Sequence, residues 1–479
     1  MSTNKNTVIK SFLWKFLERC SVQVVTFIVT IVLARLLMPE EYGIVALITI
    51  FIALAEVIAD GGFNTALIQK KDADNVDFST VFFFSMVLAI FLYAVLFVAA
   101  PYISIFYNQP QLTPVIRVLS SSLLFYSFNS VQRAYVSRFM LFKKLFISAL
   151  IAVILSGAIG VYLAYMGYGV WALVWQTMLN QLFTTVIMWF TVKWRPIFAF
   201  SKERFSSLFG FGWKIFCTNF IVTLFIRLRA MVIGKVFSPA TLAYYDKGNQ
   251  FPGLISNNVC GSIQAVIFPA LSDVQDDKEK VKSMMRRAIN TSCLFMFPLM
   301  VELMVCAKPL VVLLLTEKWI GVVPYMQILC LAYFFRPISI PNQQAITALG
   351  YSGITLKLEI VRKVIDVIIL AVSCYIGALA IAWGVVLFNL MCVIINLIPN
   401  VKLLDYKIHE QLKDLVPTLI ISFVMGGAIY GISYTPISAL MQLFLMTISG
   451  LIIYMGLCYI FKVESFFYLL DMVTKNKRK

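Results

Sequence analysis

Long apolar runs separated by short polar breaks recur along the whole chain. Fourteen of them lie near 13–37, 43–67, 79–101, 115–136, 146–166, 169–191, 208–236, 242–271, 288–315, 322–348, 356–377, 379–400, 415–433 and 437–461. An α-helix needs about 20 mostly apolar residues to cross a bilayer. The runs are too long for barrel strands, and only helices and closed barrels leave no backbone group unpaired in hydrocarbon. The pattern therefore predicts an all-α integral membrane protein with 14 transmembrane helices. The breaks are short, so no sizeable water-soluble catalytic domain fits between them.

One break occurs twice. "LARLLMPEEYG" at 33–43 has a counterpart in "IGKVFSPATLAYYDKG" at 233–248. Trp14 and Lys15 align with Trp213 and Lys214 at an offset of 199. Arg35 then meets Lys235, Pro39 meets Pro239 and Gly61 meets Gly261, at an offset of 200. Each copy reads as a hairpin at the outer face. A cation snorkels to the interface, Pro opens the second helix, and in the first copy Glu40 and Glu41 sit where the helix dipole favours anions. Six helices separate the copies, so both start on the same side of the membrane. That is a parallel repeat, and transporters built this way bind substrate between their halves. The expected organisation is an N-lobe over 1–192 (helices 1–6), a cytoplasmic linker over 193–207, and a C-lobe over 208–402 (helices 7–12). The segment 403–479 adds helices 13–14 and a basic tail.

Composition agrees with the pattern. Hydrophobic residues make up 61% and charged residues 13%, against roughly 45–50% and about 25% in soluble chains. A net charge of +17 would suit a nucleic-acid partner, but its distribution argues for topology instead. Most Lys and Arg fall in loops and tails of one side, such as Lys143, Lys144, Lys202, Arg204, Arg286, Arg287 and the tail "KNKRK". The opposite loops "MGYG" at 166–169 and "SYTPIS" at 433–438 carry none. This positive-inside bias predicts that both termini are cytoplasmic. The first helix is too long for a cleavable signal and lacks a small-residue cleavage site, so it is expected to remain. Nine Cys without a C-x-x-C pair, and a single histidine, His409, argue against a disulfide framework, a zinc site or a His-based triad.

Polar residues inside the runs fall into stripes with helical steps of three and four. Helix 1 carries Arg19, Gln23, Thr26 and Thr30. Helix 7 carries Asn219, Thr223 and Arg227. Helix 8 carries Lys247, Gln250, Asn257, Gly261 and Gln264, and helix 10 carries Arg336, Ser339, Gln343 and Thr347. Helices 3, 5, 6 and 12 show few such groups. An ionisable group at the bilayer centre costs about 2.5–3.5 kcal/mol on insertion scales, so it needs a partner or a wet cavity. Glu56 and Asp60 lie one turn apart at the depth of Arg19. A structural ion pair with Arg19 is the plain expectation for them, and proton or sodium coupling is the sharper one. Glu302 is isolated. Glu359, Arg362, Lys363 and Asp366 form pairs that stabilise a helix or wall a cytoplasmic entrance.

Six stretches carry a resemblance. "ARLLMPEEYGIVAL", "DGGFNTALIQKKD", "YYDKGNQFPGLISNNV", "VIFPALSDVQDD", "LLLTEKWIGVVPYMQIL" and "ALGYSGITLKLEIVRKVID" resemble the polysaccharide transporter family. These are bacterial oligosaccharide flippases of the multidrug/oligosaccharidyl-lipid/polysaccharide exporter superfamily. The resemblance implies a two-lobed exporter of the bacterial cytoplasmic membrane. Its cargo would be a lipid-linked oligosaccharide, carried on a polyprenyl phosphate or pyrophosphate and moved from the inner to the outer leaflet by alternating access. Surface polysaccharides such as lipopolysaccharide and exopolysaccharide are the products that such a flippase serves. Membrane lipids, a polysaccharide polymerase and export machinery are the partners implied; nucleic acid is not.

Such a cargo explains the stripes. Each sugar hydroxyl taken into hydrocarbon without a partner costs several kcal/mol. Arg meets phosphate with a planar fork, and Lys meets it as a point charge. The expectation is that Arg19, Arg227, Lys247 and Arg336 hold the phosphate end. Gln23, Asn219, Gln250, Asn257, Gln264 and Gln343 would line the same lumen; snorkelling or structural pairing of any single cation is the plain alternative. No cofactor is expected beyond a coupling proton or sodium ion. Two other functions stay open: a drug/cation antiporter of the same superfamily and a peptidoglycan lipid-precursor flippase. An enzyme such as a polymerase or glycosyltransferase would need a soluble loop that the sequence lacks.

Overall fold

A computed structural model describes residues 5–476, with side chains from 13 to 471 apart from Ile408. The end of the basic tail, 477–479, lies outside these residues, as do the side chains of 472–476. The described chain is helical throughout, without a strand. In order the helices are α1 (Lys5–Leu36), α2 (Pro39–Asp60), α3 (Phe63–Gln69), α4 (Asn75–Tyr107), α5 (Leu112–Leu119), α6 (Ser122–Arg138), α7 (Phe142–Tyr165) and α8 (Val170–Thr191). Then come α9 (Lys202–Val236), α10 (Pro239–Ser272), α11 (Lys278–Val305), α12 (Ala307–Leu315), α13 (Val322–Tyr333) and α14 (Arg336–Ala348). The last five are α15 (Ser352–Ile376), α16 (Ala378–Leu404), α17 (Ile408–Tyr430), α18 (Ala439–Ile460) and α19 (Glu464–Asn476).

Among the described residues, 11 helical segments are long and apolar enough to cross a membrane. The three other predicted runs are helical as well, and each has a reason to fall short. The run 115–136 is broken at Ser120 and Ser121 into α5 and α6. The run 169–191 forms α8, diluted by Gln176, Asn180, Gln181, Thr184 and Thr185. The run 356–377 lies in α15, which carries Lys357, Glu359, Arg362, Lys363 and Asp366.

The repeat is visible in the local structure. α1 ends at Leu36 and α9 at Val236; α2 and α10 begin at Pro39 and Pro239. Proline suits a first helical position, where its missing N–H costs nothing and its φ is already helical. Glu41 accepts the Met38 N–H at 2.7 Å, capping α2 from within its first turn. Arg35 and Lys235 both lie in the last turn of their helices, where a cation is favoured.

The chain divides into two compact units, 1–243 and 244–479. The sequence led us to expect a boundary at the 193–207 linker. The first unit instead extends through α9, for two physical reasons. The linker is bound to α4: the Ile197 N–H donates to the Ser79 hydroxyl at 3.0 Å and the Ser201 N–H to Thr80 at 3.2 Å. And α9 approaches α2 and α3 through glycines. A β-carbon at Gly62 would stand 2.2 Å from the Gly212 carbonyl oxygen, and one at Gly234 would stand 2.1 Å from Leu47. An aromatic and aliphatic core that includes Phe63, Phe78, Phe82 and Trp194 fills this end of the first unit.

The second unit packs α11 against α13, α14, α16 and α17. It contains a network of buried amides. Asn400 donates to the Asn342 side-chain oxygen at 2.8 Å, Asn342 to Gln411 at 3.3 Å, and Asn396 to the Ser339 hydroxyl at 2.8 Å. Asn396 and Asn400 belong to α16, the helix 12 that the sequence reading described as poor in polar groups. The network corrects that expectation. The amide N–H groups of Asn396 and Asn400 are paired inside the unit while their side-chain oxygens accept nothing, so their polarity is turned inward.

Candidate functional site

In the first unit, polar side chains from α2, α6, α8 and α9 converge around Glu56. The Gln181 amide lies within hydrogen-bonding reach of its carboxylate, and the guanidinium groups of Arg133 and Arg227 act on it through charge. The Tyr126 phenol stands close to both Glu56 and Asp60. Asp60 accepts hydrogen bonds from the Asn64 amide and the Gly62 N–H. The expected pairing of Arg19 with Glu56 or Asp60 is absent from this arrangement. Arg19 is exposed on α1 and forms no ion pair among the described residues. The reason is local: α2 ends at Gly61 in the left-handed region (φ 53°), which turns the chain into α3 and brings Asn64 onto Asp60.

Of the other expected lumen residues in this unit, Gln23 and Asn219 are exposed and Arg227 is half-buried. Arg133, Tyr126 and Gln181 were not among them. A signal existed. Tyr126, Asn129 and Arg133 follow one another in steps of three and four on α6, the same spacing that marked the other stripes. Asn129 is fully buried and donates to Thr185 of α8 at 3.2 Å, so this face of α6 is turned inward. The expectation that helix 6 is poor in polar groups is corrected here too, since α8 supplies Gln181 and Thr185.

In the second unit, the expected residues form three separate polar contacts. Arg336, at the start of α14, donates to the Asn257 side-chain oxygen of α10 at 2.9 Å. Its guanidinium also lies over the Tyr333 ring, 5.5 Å from the centroid, and the Tyr333 hydroxyl donates to Asn249 at 2.9 Å. Gly253 sits between these partners, where a β-carbon would come to 3.0 Å from the Tyr333 hydroxyl. Asn249, Gly253 and Asn257 are therefore one face of α10, in steps of four, laid against Tyr333 and Arg336. Lys247 is buried, and its ammonium donates to the Gln250 side-chain oxygen at 3.4 Å. Gln343 accepts from Arg362 of α15 at 3.2 Å. Arg362 is almost fully buried and also pairs with Glu359. It belongs to this polar interior as well as to the helix pairs expected from its spacing. Gln264 is exposed on α10.

The chemistry on offer is recognition. Arg336 with Asn257 and Asn249 presents a cation among amides and a phenol, suited to an anionic group with hydroxyls around it. No cluster of three or more metal-ligating side chains occurs among the described residues.

Residues 32–324 match the sequence profile of the polysaccharide biosynthesis protein family. The lipopolysaccharide biosynthesis protein WzxC of Escherichia coli is 23% identical over 415 residues, covering 84% of this chain and 84% of that protein. The succinoglycan biosynthesis transport protein ExoT of Rhizobium meliloti is 23% identical over 331 residues, covering 69% and 67%. The teichuronic acid biosynthesis protein TuaB of Bacillus subtilis is 22% identical, covering 85% of each. Among solved structures, the lipid II flippase MurJ in an inward closed conformation superposes with a TM-score of 0.74 at 14% identity, covering 94% of this chain and 98% of MurJ. An inward-facing multidrug resistance MATE transporter superposes with a TM-score of 0.62 at 15% identity, covering 80% and 94%. Both have the same fold as this chain.

Proposed function

Because the chain belongs to the polysaccharide biosynthesis protein family, we propose that it is a flippase of the bacterial cytoplasmic membrane. It moves a lipid-linked oligosaccharide from the inner to the outer leaflet for surface polysaccharide assembly. Its full topology is fourteen transmembrane helices with both termini in the cytoplasm, two six-helix lobes related by the repeat, and a C-terminal pair. It acts by alternating access, without a chemical step of its own. The observation that carries the reading is the Arg336–Asn257 contact at 2.9 Å, a cation held by amides in a span of a chain from this family.

Arg336 and Lys247, with Arg19 and Arg227, engage the phosphate end of the cargo. The amides Gln23, Asn219, Gln250, Asn257, Gln264 and Gln343 meet its sugar hydroxyls. Arg133, Tyr126, Glu56 and Gln181 extend this polar set. An anionic head group leaving a negative interior gains about 2.3 kcal/mol per charge per 100 mV, which drives export. Proton or sodium coupling at Glu56 and Asp60 is the alternative drive. A polysaccharide polymerase and export machinery are the proposed downstream partners.

The family match and the relatives' printed roles in polysaccharide biosynthesis support a lipid-linked cargo in preference to a free drug cation, and a peptidoglycan precursor is the second reading. Gene deletion tests the proposal. A lipid-linked glycan other than the peptidoglycan precursor should accumulate in the inner leaflet, with loss of one surface polysaccharide. Intact surface glycans together with raised drug sensitivity would refute it.

A further inference from the structure

One face of α11, from Glu279 to Glu302, borders two cavities in succession. Near its start, Lys282, Arg286, Arg287 and Asn290 line a cavity of about 440 Å³, together with Glu410 of α17 and Glu464 and Tyr468 of α19. One turn further, Leu294, Phe295, Pro298 and Leu299 line an apolar groove of about 310 Å³. Gly450 and Met455 of α18 and Phe466 of α19 form its other walls. Steps of three and four keep all of these α11 residues on one stripe, so the apolar groove follows the polar cavity along the same face of the helix.

The polar cavity carries both signs of charge: Lys282, Arg286 and Arg287 against Glu279, Glu410 and Glu464. Arg286 holds Asp414 through two hydrogen bonds of 2.5 and 2.6 Å, and Lys282 lies 3.3 Å from Glu410. Arg287 stacks over the Tyr468 ring and donates to its hydroxyl at 3.1 Å. The side-chain oxygen of Asn290, in the wall where polar gives way to apolar, is buried and accepts no hydrogen bond. That is an acceptor without its donor, and such groups are costly unless something fills the place.

These charges select against most lipids. A head group of net negative charge, including a polyprenyl pyrophosphate, meets three carboxylates in the wall. A zwitterion with a phosphate and an ammonium satisfies both signs. We propose that the two cavities together bind one molecule of an aminophospholipid of the phosphatidylethanolamine type. Its phosphate lies at Arg287, beside Arg286 and Lys282. Its ammonium donates to Asn290 and to Glu464, and one acyl chain occupies the groove. The lipid fastens α19 to α11 and α18. Its assignment to the inner leaflet rests on the proposed topology; its binding does not depend on what the protein transports.

The test is lipid retention by the full chain. The protein is extracted in mild detergent, analysed by native mass spectrometry with lipid identification, and then returned to nanodiscs of phosphatidylethanolamine or phosphatidylglycerol. One tightly held phosphatidylethanolamine per chain is expected, with no comparable retention of phosphatidylglycerol. Gly450→Trp fills the groove and Arg287→Glu repels the phosphate; each should cut retention at least fivefold at unchanged helicity. A photoreactive acyl chain should label α11 between residues 290 and 302, which keeps the test decisive should either variant fold poorly. Loss of all lipid on detergent dilution, equal retention of phosphatidylglycerol, a polyprenyl phosphate in its place, or retention unaffected in both variants would each overturn the proposal.

Discussion

Gly43 and Pro239 meet backbone to backbone: a β-carbon on Gly43 would stand 1.8 Å from the Pro239 carbonyl oxygen. These residues belong to the two hairpins that the internal repeat relates, so equivalent corners of the repeat touch. Any side chain at Gly43 must push them apart. Gly43→Ala is expected to lower stability by about 1–3 kcal/mol, the usual cost of overpacking, and to impair complementation of a deletion strain. Thermal unfolding of the purified protein checks this. An unchanged melting temperature would mean that the corner yields freely.

Arg336 offers a planar fork, and one arm of it is already engaged by Asn257. Arg336→Ala should reduce export at least tenfold, measured as surface polymer in a complemented deletion strain. Arg336→Lys should restore only part of it, because an ammonium keeps the charge and loses the fork. Asn257→Ala should have the smaller effect of a lost positioning contact. Full activity of the Lys variant would contradict two-pronged recognition.

The Arg133 guanidinium acts on Glu56 through charge inside the first unit, with no ion pair between them among the described residues. Removing one of two interacting charges leaves the other less compensated, and a double-mutant cycle isolates their coupling, about 0.5–3 kcal/mol for neighbouring groups. Arg133→Met should therefore destabilise, and the double variant Glu56→Gln, Arg133→Met should recover part of the loss. Unfolding in detergent provides the comparison. Additive losses in the double variant would show that the two groups act independently.

The Arg204 guanidinium donates to Asp74, and the N–H groups at the start of α4 add to it; together they hold the Asp74 carboxyl below the usual carboxylate range. A depressed pKa in the folded state contributes stability that is present above the unfolded value of about 3.9. That stability is lost as pH falls through the folded value. Asp74→Asn should therefore flatten the acid limb of the stability profile below about pH 4, so that the variant loses less stability on acidification than the wild type does. The group is exposed, so the change should be small. Identical acid limbs would remove Asp74 from the account.

Much of the fold was legible as pattern. Apolar runs mark helices because bilayer thickness sets their length, and Pro39 and Pro239 mark corners because a proline opens a helix without losing a bond. Both are one-dimensional constraints. The spacing of Asn257 on α10 and Arg336 on α14 was legible for the same reason, and the structure brings the two into contact at 2.9 Å. Where polar groups face inward, as in α6, α8 and α16, the same spacing was present but gave no reason to prefer it.

The order of residues alone determined an all-helical membrane chain, its repeat, and the cations set within its apolar runs, because each follows from local periodicity. Only the tertiary structure decided which partners those charges have. Asp60 meets Asn64 in place of Arg19, Glu56 meets Gln181 under the charge of Arg133, and α9 joins the first unit through Gly62 and Gly212. Such pairings depend on how closely backbones can approach in space, and that distance is set by packing between helices remote in sequence.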